Sequence, residues 1–183
     1  MEIIFIRHTE KDSIGEDPTI TKRGIKQAEY LSKRLKKEDI RAFYCSDMIR
    51  AKQTANIVSK NIGIKPQIEK ALNEFTSEFL IKSKDKWNKE EKGHYIRLIS
   101  FLKRLTNSPN ENKVVLIIAH GVTNRIILSY LLELGLKNLI RFRQSEAGLN
   151  SVYWAEKFKN WRLKIWNDNN HIPIKLRYNN SNY

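Results

Sequence analysis

The chain has 183 residues with 40% hydrophobic and 30% charged side chains, which fits one globular domain with a real core and excludes a disordered chain or two ordinary domains. Its longest apolar runs, Ile3–Ile6 and Val114–Ala119, fall far short of the ~20 residues needed to cross a bilayer, which excludes a transmembrane protein and gives no reason to expect a membrane partner. The formal net charge of +14 favours anionic partners such as phosphates, nucleic acid or an acidic surface without choosing among them.

In chain order, Ile3–Ile6 is a β-branched apolar run of the kind found in a central parallel strand buried on both faces, and Arg7 and His8 stand at its end. Thr21 opens a helix carrying Ile25, Ala28, Leu31 and Leu35 at spacings of three and four, extending to about Lys37. Ile40–Cys45 reads as a second strand. Ser46 or Asp47 is the expected N-cap of a helix with Ala51, Thr54, Ala55 and Val58 on one side, stopped by Asn61 and Gly63. A short extended piece at Pro66–Ile68 precedes Leu72, Asn73 and Glu74.

From Phe75 to Asn112 the character changes. Lys82, Lys84, Lys86, Trp87, Lys89 and Lys92 suggest a mobile or surface insertion, followed by a helix with Ile96, Ile99, Leu102 and Leu105 as its apolar residues. This stretch is expected to form a lid. Val114–Ala119 is a third buried strand, ending at His120 and Gly121, and Val122–Leu134 has the apolar density of a packed helix. Leu149–Ala155 and Trp161–Trp166 predict an antiparallel edge hairpin. The alternation predicts an α/β fold, a three-layer α/β/α sandwich with a mostly parallel sheet and an antiparallel edge. Residues 1–167 are expected to form one catalytic domain with a lid insertion around 75–112, and 168–183 a loosely held polar tail.

Two apolar strands thus each run directly into a histidine, His8 and His120, at the carboxyl ends where such sheets place their ligands. Arg7 precedes the first, and Arg50 follows the start of a helix whose N-terminus favours anions. Two guanidiniums, two imidazoles and a helix end describe a phosphate pocket, because the planar arginine fork pairs with phosphate oxygens and keeps its charge. Singly, each residue has a bland reading: a structural strand-end histidine or a surface arginine. Their joint placement at equivalent ends of two strands favours the pocket. No HxH, HExxH or CxxC spacing is present, so no metal site is expected. Four residues separate Cys45 from Arg50, with no Gly-rich cradle between them, so Cys45 reads as a buried strand residue and not as a nucleophile.

An ordered set of motifs resembles the histidine phosphatase superfamily, the phosphoglycerate mutase-like family. Arg7-His8-Thr9-Glu10 is similar to its opening RHG or RHT. Ile20-Thr21-Lys22-Arg23-Gly24 with Gln27-Ala28 resembles its LTxxG…QA start, and Ser46-Asp47 with Arg50-Ala51-Lys52-Gln53-Thr54-Ala55 its SxxxRAxQTA block. Leu72-Asn73-Glu74 resembles its LxE acid, Ala119-His120-Gly121 its second-histidine HG, and Asn150-Ser151 its late strand. The resemblance implies transfer through a phosphohistidine on His8. Arg7, Arg50 and His120 would clamp the phosphoryl oxygens and Glu74 would serve as proton donor and then acceptor, with no cofactor. Gly121 and Thr9 are further phosphate-binding candidates. Lys11 and Ile14 stand where many members carry a hydroxyl residue and an asparagine, and Ser13 is the candidate substitute.

The expected activity is metal-independent hydrolysis of a phosphate monoester, because the stretch between Glu74 and His120 is short beside the long insertions of the mutases. A phosphoglycerate-type mutase is the alternative, and a non-catalytic binder of phosphorylated or acidic partners a more distant one. A small phosphorylated substrate is expected, with a nucleotide or phosphoprotein also open. The basic residues from Lys157 onward read as a solvated face, so a nucleic-acid partner is not expected. Trp87 and Tyr95 would contact an apolar part of the substrate or pack the lid. An acid at position 2, no secretory apolar stretch and a single cysteine together predict a cytoplasmic protein.

Overall fold

The computed structural model describes residues 1–109 and 113–177. One sheet contains the strands β1 (Glu2–Arg7), β2 (Ile40–Cys45), β3 (Gln67–Ile68), β4 (Val114–Ala119), β5 (Leu149–Ala155) and β6 (Asn160–Asp168), in the order β3-β2-β4-β1-β5-β6. β3, β2, β4 and β1 are parallel, β5 runs antiparallel to β1, and β6 returns antiparallel to β5. The helices α1 (Lys22–Leu35), α2 (Ile49–Ile62), α3 (Lys89–Leu105) and α4 (Gly121–Leu131) cover both faces.

Strand periodicity divides the core. In β1, Ile3 and Phe5 join one cluster with residues of α3 and α4, while Ile4 and Ile6 join a second with residues of α1 and α2. Alternate side chains of one strand therefore feed two cores, which requires an apolar residue at every position and explains the unbroken runs. The result is the expected three-layer arrangement with a mostly parallel sheet and an antiparallel edge.

Three local expectations need correction. In α1 the buried stripe is Gly24, Gln27, Ala28, Leu31, Ser32 and Leu35, and Ile25 is exposed. In α3 it is Leu98, Phe101 and Leu102, with Ile96 exposed on the far side, because two helical steps separate Ile96 from Leu98. The N-cap of α2 is Met48, which supplies no side-chain hydrogen bond. Asp47 and Ser46 lie one and two residues too early, and the Ile49 N–H is instead taken by the Asp17 carboxylate at 2.8 Å from a loop distant in sequence.

Of the two expectations for the segment from Phe75 to Lys92, mobile or surface insertion, the structure has a docked surface segment. It holds two short 3-10 turns, Ser77–Leu80 and Lys84–Lys86. Phe75, Phe79, Leu80 and Trp87 are buried, and the Phe79 and Trp87 rings stack at 4.2 Å. Trp87 therefore packs this segment and is not offered to a ligand, with Lys84 lying over the Trp87 and Tyr95 rings. Asn88 and Glu91 form a reciprocal cap at the start of α3. The expected loose tail is ordered as far as Arg177: Ile172 enters the α1–α2 core, and the Leu176 carbonyl accepts from Gln27 Nε2 at 2.8 Å. The remainder, 178–183, lies outside the described residues.

Because Ile172 is fully enclosed, Ile172→Ala should cost about 2–5 kcal/mol by loss of buried methyl groups and formation of a cavity. Urea denaturation would show a lower midpoint at an unchanged slope; an unaltered midpoint would mean that this segment is not part of the core.

Candidate active site

The site begins with the pairing of β1 and β4. Their parallel register sets Arg7 opposite Ala119, and the His8 N–H continues the ladder to the Ala119 carbonyl at 3.0 Å. The next residue on each strand is a histidine, so the two rings leave neighbouring strand ends with centroids 5.1 Å apart. Both are buried.

His8 is held at both ring nitrogens. Nδ1–H donates to the Thr9 carbonyl at 2.7 Å, and Nε2 accepts from Arg50 Nε at 3.2 Å. These partners fix the tautomer with a free electron pair on Nε2, facing the guanidinium. Burial, followed by the Arg7 charge, pushes the imidazole pKa well below its ordinary value, so the ring is neutral at neutral pH.

The loop after His8 is fastened to α1 and α2 by the motif residues. Thr54 Oγ1 accepts from the Thr9 N–H at 3.2 Å and meets Thr9 Oγ1 at 3.1 Å, while Gln27 Oε1 accepts from the Glu10 N–H at 2.8 Å. The Glu10 carbonyl accepts from the Thr21 N–H and passes so close to Gly24 that a Cβ there would lie 2.2 Å from it, which makes glycine necessary. Gln53 Oε1 takes the Ile20 N–H at 2.8 Å.

Arg50 is nearly enclosed, and its Nη1 pairs with Asp17 at 3.1 Å. Arg7 donates through Nη1 to the Gln144 carbonyl at 2.8 Å, and its buried Nε has no partner among the described residues. His120 Nε2 lies 2.7 Å from Ser46 Oγ, and its buried Nδ1 has no partner among the described residues. Its pKa too is well below the ordinary value, through burial first and the neighbouring positive groups after it.

Glu74 faces the start of α4. Oε1 accepts from the N–H groups of Val122 and Thr123 at 3.1 and 3.2 Å, and Oε2 accepts from the Gly121 N–H at 3.1 Å. The helix N-terminus and both arginines favour the carboxylate, but burial prevails and its pKa is raised. A neutral imidazole and a carboxyl whose pKa burial raises therefore share one pocket.

His8, Arg7, Arg50, Glu74 and His120 are thus brought together, but three further candidates are placed differently. The Thr9 hydroxyl turns to Thr54, and its carbonyl is the atom that meets His8. Gly121 lies beside Arg7 and Glu74, yet its N–H is already taken by the carboxylate. Ser13 is exposed and outside the cluster, because the Lys11–Ile20 bridge and the Asp12 to Thr19 hydrogen bond close the intervening residues into a projecting loop. Burial raises the Cys45 thiol to about 12, as befits an inert strand residue.

Asp17, Thr123 and Gln144 touch Arg50, Glu74 and Arg7 without a role read from sequence, Ser46 reads there only as a helix cap, and Asn73 reaches His120 through Ser46. Asn73 sits next to Glu74 and Ser46 lies within a recognised block, so proximity to motifs was the available signal for those two. Asp17 and Gln144 lie in irregular loops with no spacing that identifies them.

Among solved structures, the chain resembles a mycobacterial glucosyl-3-phosphoglycerate phosphatase bound to inorganic phosphate, with a TM-score of 0.77 and 18% identity over 94% of this chain and 99% of that one. It also resembles a phosphoserine phosphatase variant from Entamoeba histolytica in complex with phosphoserine, with a TM-score of 0.70 and 18% identity over 94% and 99% of the respective chains. The TM-scores establish a shared fold. A search of curated protein sequences gives no significant match. The sequence model of the histidine phosphatase superfamily (branch 1) matches residues 3–95 and 81–169, nearly the whole described chain, and the protein belongs to that superfamily.

Proposed function

We propose that the protein hydrolyses a small phosphate monoester, without a metal ion, through a phosphohistidine on His8. The observation that carries this reading is the bonding of His8: its Nδ1 is committed to the Thr9 carbonyl, so the nucleophilic pair sits on Nε2 beside Arg50. The relatives of similar fold are named for phosphoserine and glucosyl-3-phosphoglycerate, both small phosphorylated molecules.

In the proposed first step Nε2 attacks phosphorus in line, and the bond from phosphorus to the ester oxygen breaks. Arg50 Nε, which bonds Nε2 in the empty site, moves to a phosphoryl oxygen as the nitrogen engages phosphorus. Arg7 offers its unpartnered Nε to the same group. The two guanidiniums supply the charge that stabilises the spreading negative charge of the transition state. Glu74 gives its proton to the departing oxygen. In the second step the Glu74 carboxylate takes a proton from water, whose oxygen attacks phosphorus, and the bond to Nε2 breaks to release phosphate and neutral His8. Hydrolysis is favoured over mutase chemistry because residues 75–105 pack against the core through Phe79, Trp87 and Leu102, forming a short cover and not a long enclosing insertion.

With a generic aryl phosphate in the presence of EDTA, His8→Ala should fall to background, and Glu74→Gln should lose about 10²- to 10⁴-fold in kcat/KM, the usual worth of a general acid. Full activity in His8→Ala would exclude the phosphohistidine route.

The pKa directions also set the pH profile. The lowered His8 value keeps the nucleophile available well into the acid range. The raised Glu74 value keeps the proton donor loaded until pH climbs through it. Wild-type kcat/KM should therefore peak on the acidic side of neutral and decline with rising pH, and Glu74→Gln should abolish the alkaline decline. A wild-type rate still climbing above about pH 9 would contradict the assignment of Glu74.

A further inference from the structure

The neutral tautomer of His120 is decided by a chain of two residues outside the reacting set. Asn73 Oδ1 accepts from the Asp47 backbone N–H at 3.0 Å, and only the oxygen end of the amide can face a backbone donor, so the orientation of Asn73 is fixed. The same oxygen lies 2.8 Å from Ser46 Oγ, so the single hydroxyl proton of Ser46 is donated there. Ser46 Oγ is then an acceptor toward its other partners, the Met48 N–H at 3.2 Å and His120 Nε2 at 2.7 Å. A hydrogen bond to Nε2 thus requires the proton to be on Nε2. The remaining nitrogen, Nδ1, is buried and has no partner among the described residues. His8 has the opposite arrangement, with its proton on Nδ1 and its free pair on Nε2.

We infer that Ser46 and Asn73 are positioning residues that hold His120 as the Nε2–H tautomer, so that phosphate binding places a proton on His120 Nδ1. An imidazole with a bare Nδ1 repels a phosphoryl oxygen, since both present electron pairs. The clash is removed when one proton enters between them, from solvent if the phosphate arrives as a dianion or from its own hydroxyl if it arrives as a monoanion. The proton is assigned to Nδ1, with Arg7 and Arg50 holding the phosphate as the dianion; the imidazolium, proton-bearing at both nitrogens, then bonds the phosphoryl oxygen through Nδ1 and Ser46 through Nε2. The charge of His120 is therefore absent in the empty site and appears with the anion. This coupling rests on the phosphatase reading, whereas the tautomer does not, because it is a property of the empty site.

Nitrogen-15 NMR of histidine-labelled protein without ligand reads the tautomer directly. The expected result for His120 is a protonated, pyrrole-type Nε2 and a pyridine-type Nδ1; a protonated Nδ1 in the neutral ring would overturn the inference. Asn73→Leu removes the acceptor and frees the Ser46 hydroxyl to donate to His120, so the Nδ1–H form should become populated. Ser46→Ala, which deletes the hydroxyl itself, gives a second route to the same loss of preference if Asn73→Leu fails to fold. An unchanged tautomer in both variants would overturn the role of the pair. Calorimetry of inorganic phosphate binding in buffers of different ionisation enthalpy, at a pH where phosphate is the dianion, should show close to one proton taken up per phosphate by the wild type. The variants should take up measurably less. Tight phosphate binding with no proton uptake in the wild type would overturn the coupling. Absence of phosphate binding would overturn the phosphatase reading and the coupling with it, leaving the tautomer to be decided by the NMR result.

Discussion

The register between β1 and β4 is the constraint on which the rest of the site depends. Arg7 is level with Ala119, and the pairing continues one residue further through the His8 N–H. With that register, two histidines far apart in sequence emerge side by side. A slip of one residue would turn one ring toward the opposite helix layer and exchange the two cores along the whole strand. The apolar content of both strands, buried on both faces, makes such a slip costly, so the core that stabilises the sheet also aligns the site.

Around that axis, burial and charge oppose one another. Burial favours the neutral forms of His8, His120 and Glu74, while the arginines and the α4 N-terminus favour anionic groups. The balance leaves two fixed guanidiniums, two neutral rings and a carboxyl that retains its proton unusually far up the pH scale. Such a pocket is positive before any ligand enters, and Asp17, bound to both Arg50 and the first turn of α2, partly offsets that charge in the empty protein.

Most motif residues do not face the reacting centre. Thr21, Gly24, Gln27, Gln53 and Thr54 secure the loop that carries Thr9 and Glu10, and the Thr9 carbonyl in turn orients His8. Loop geometry demands specific donors, acceptors or a missing Cβ at fixed points, so these residues form a readable pattern. Where Ser13 and Ile14 depart from that pattern the chain projects into solvent, and it returns to the site at Asp17.

The sequence by itself determined the strand and helix order and the three-layer class, and it named five side chains that the structure places side by side, because hydrophobic periodicity and strand-end position are local properties. It placed Ile25 and Ile96 on the wrong helix faces, since apolar character alone does not set the phase of a helix that packs through other residues. It left the Lys-rich stretch open between mobile and surface and made the tail loose, whereas a few large side chains, Phe79, Trp87 and Ile172, outweigh many polar neighbours once a receiving surface exists. Tertiary structure alone decided the partners of the central residues: Asp17 on Arg50, Gln144 on Arg7, the Ser46 and Asn73 chain on His120, and the Thr123 N–H on Glu74. Each of these contacts joins segments distant along the chain, and hydrogen-bond geometry across such distances has no period for a sequence to display.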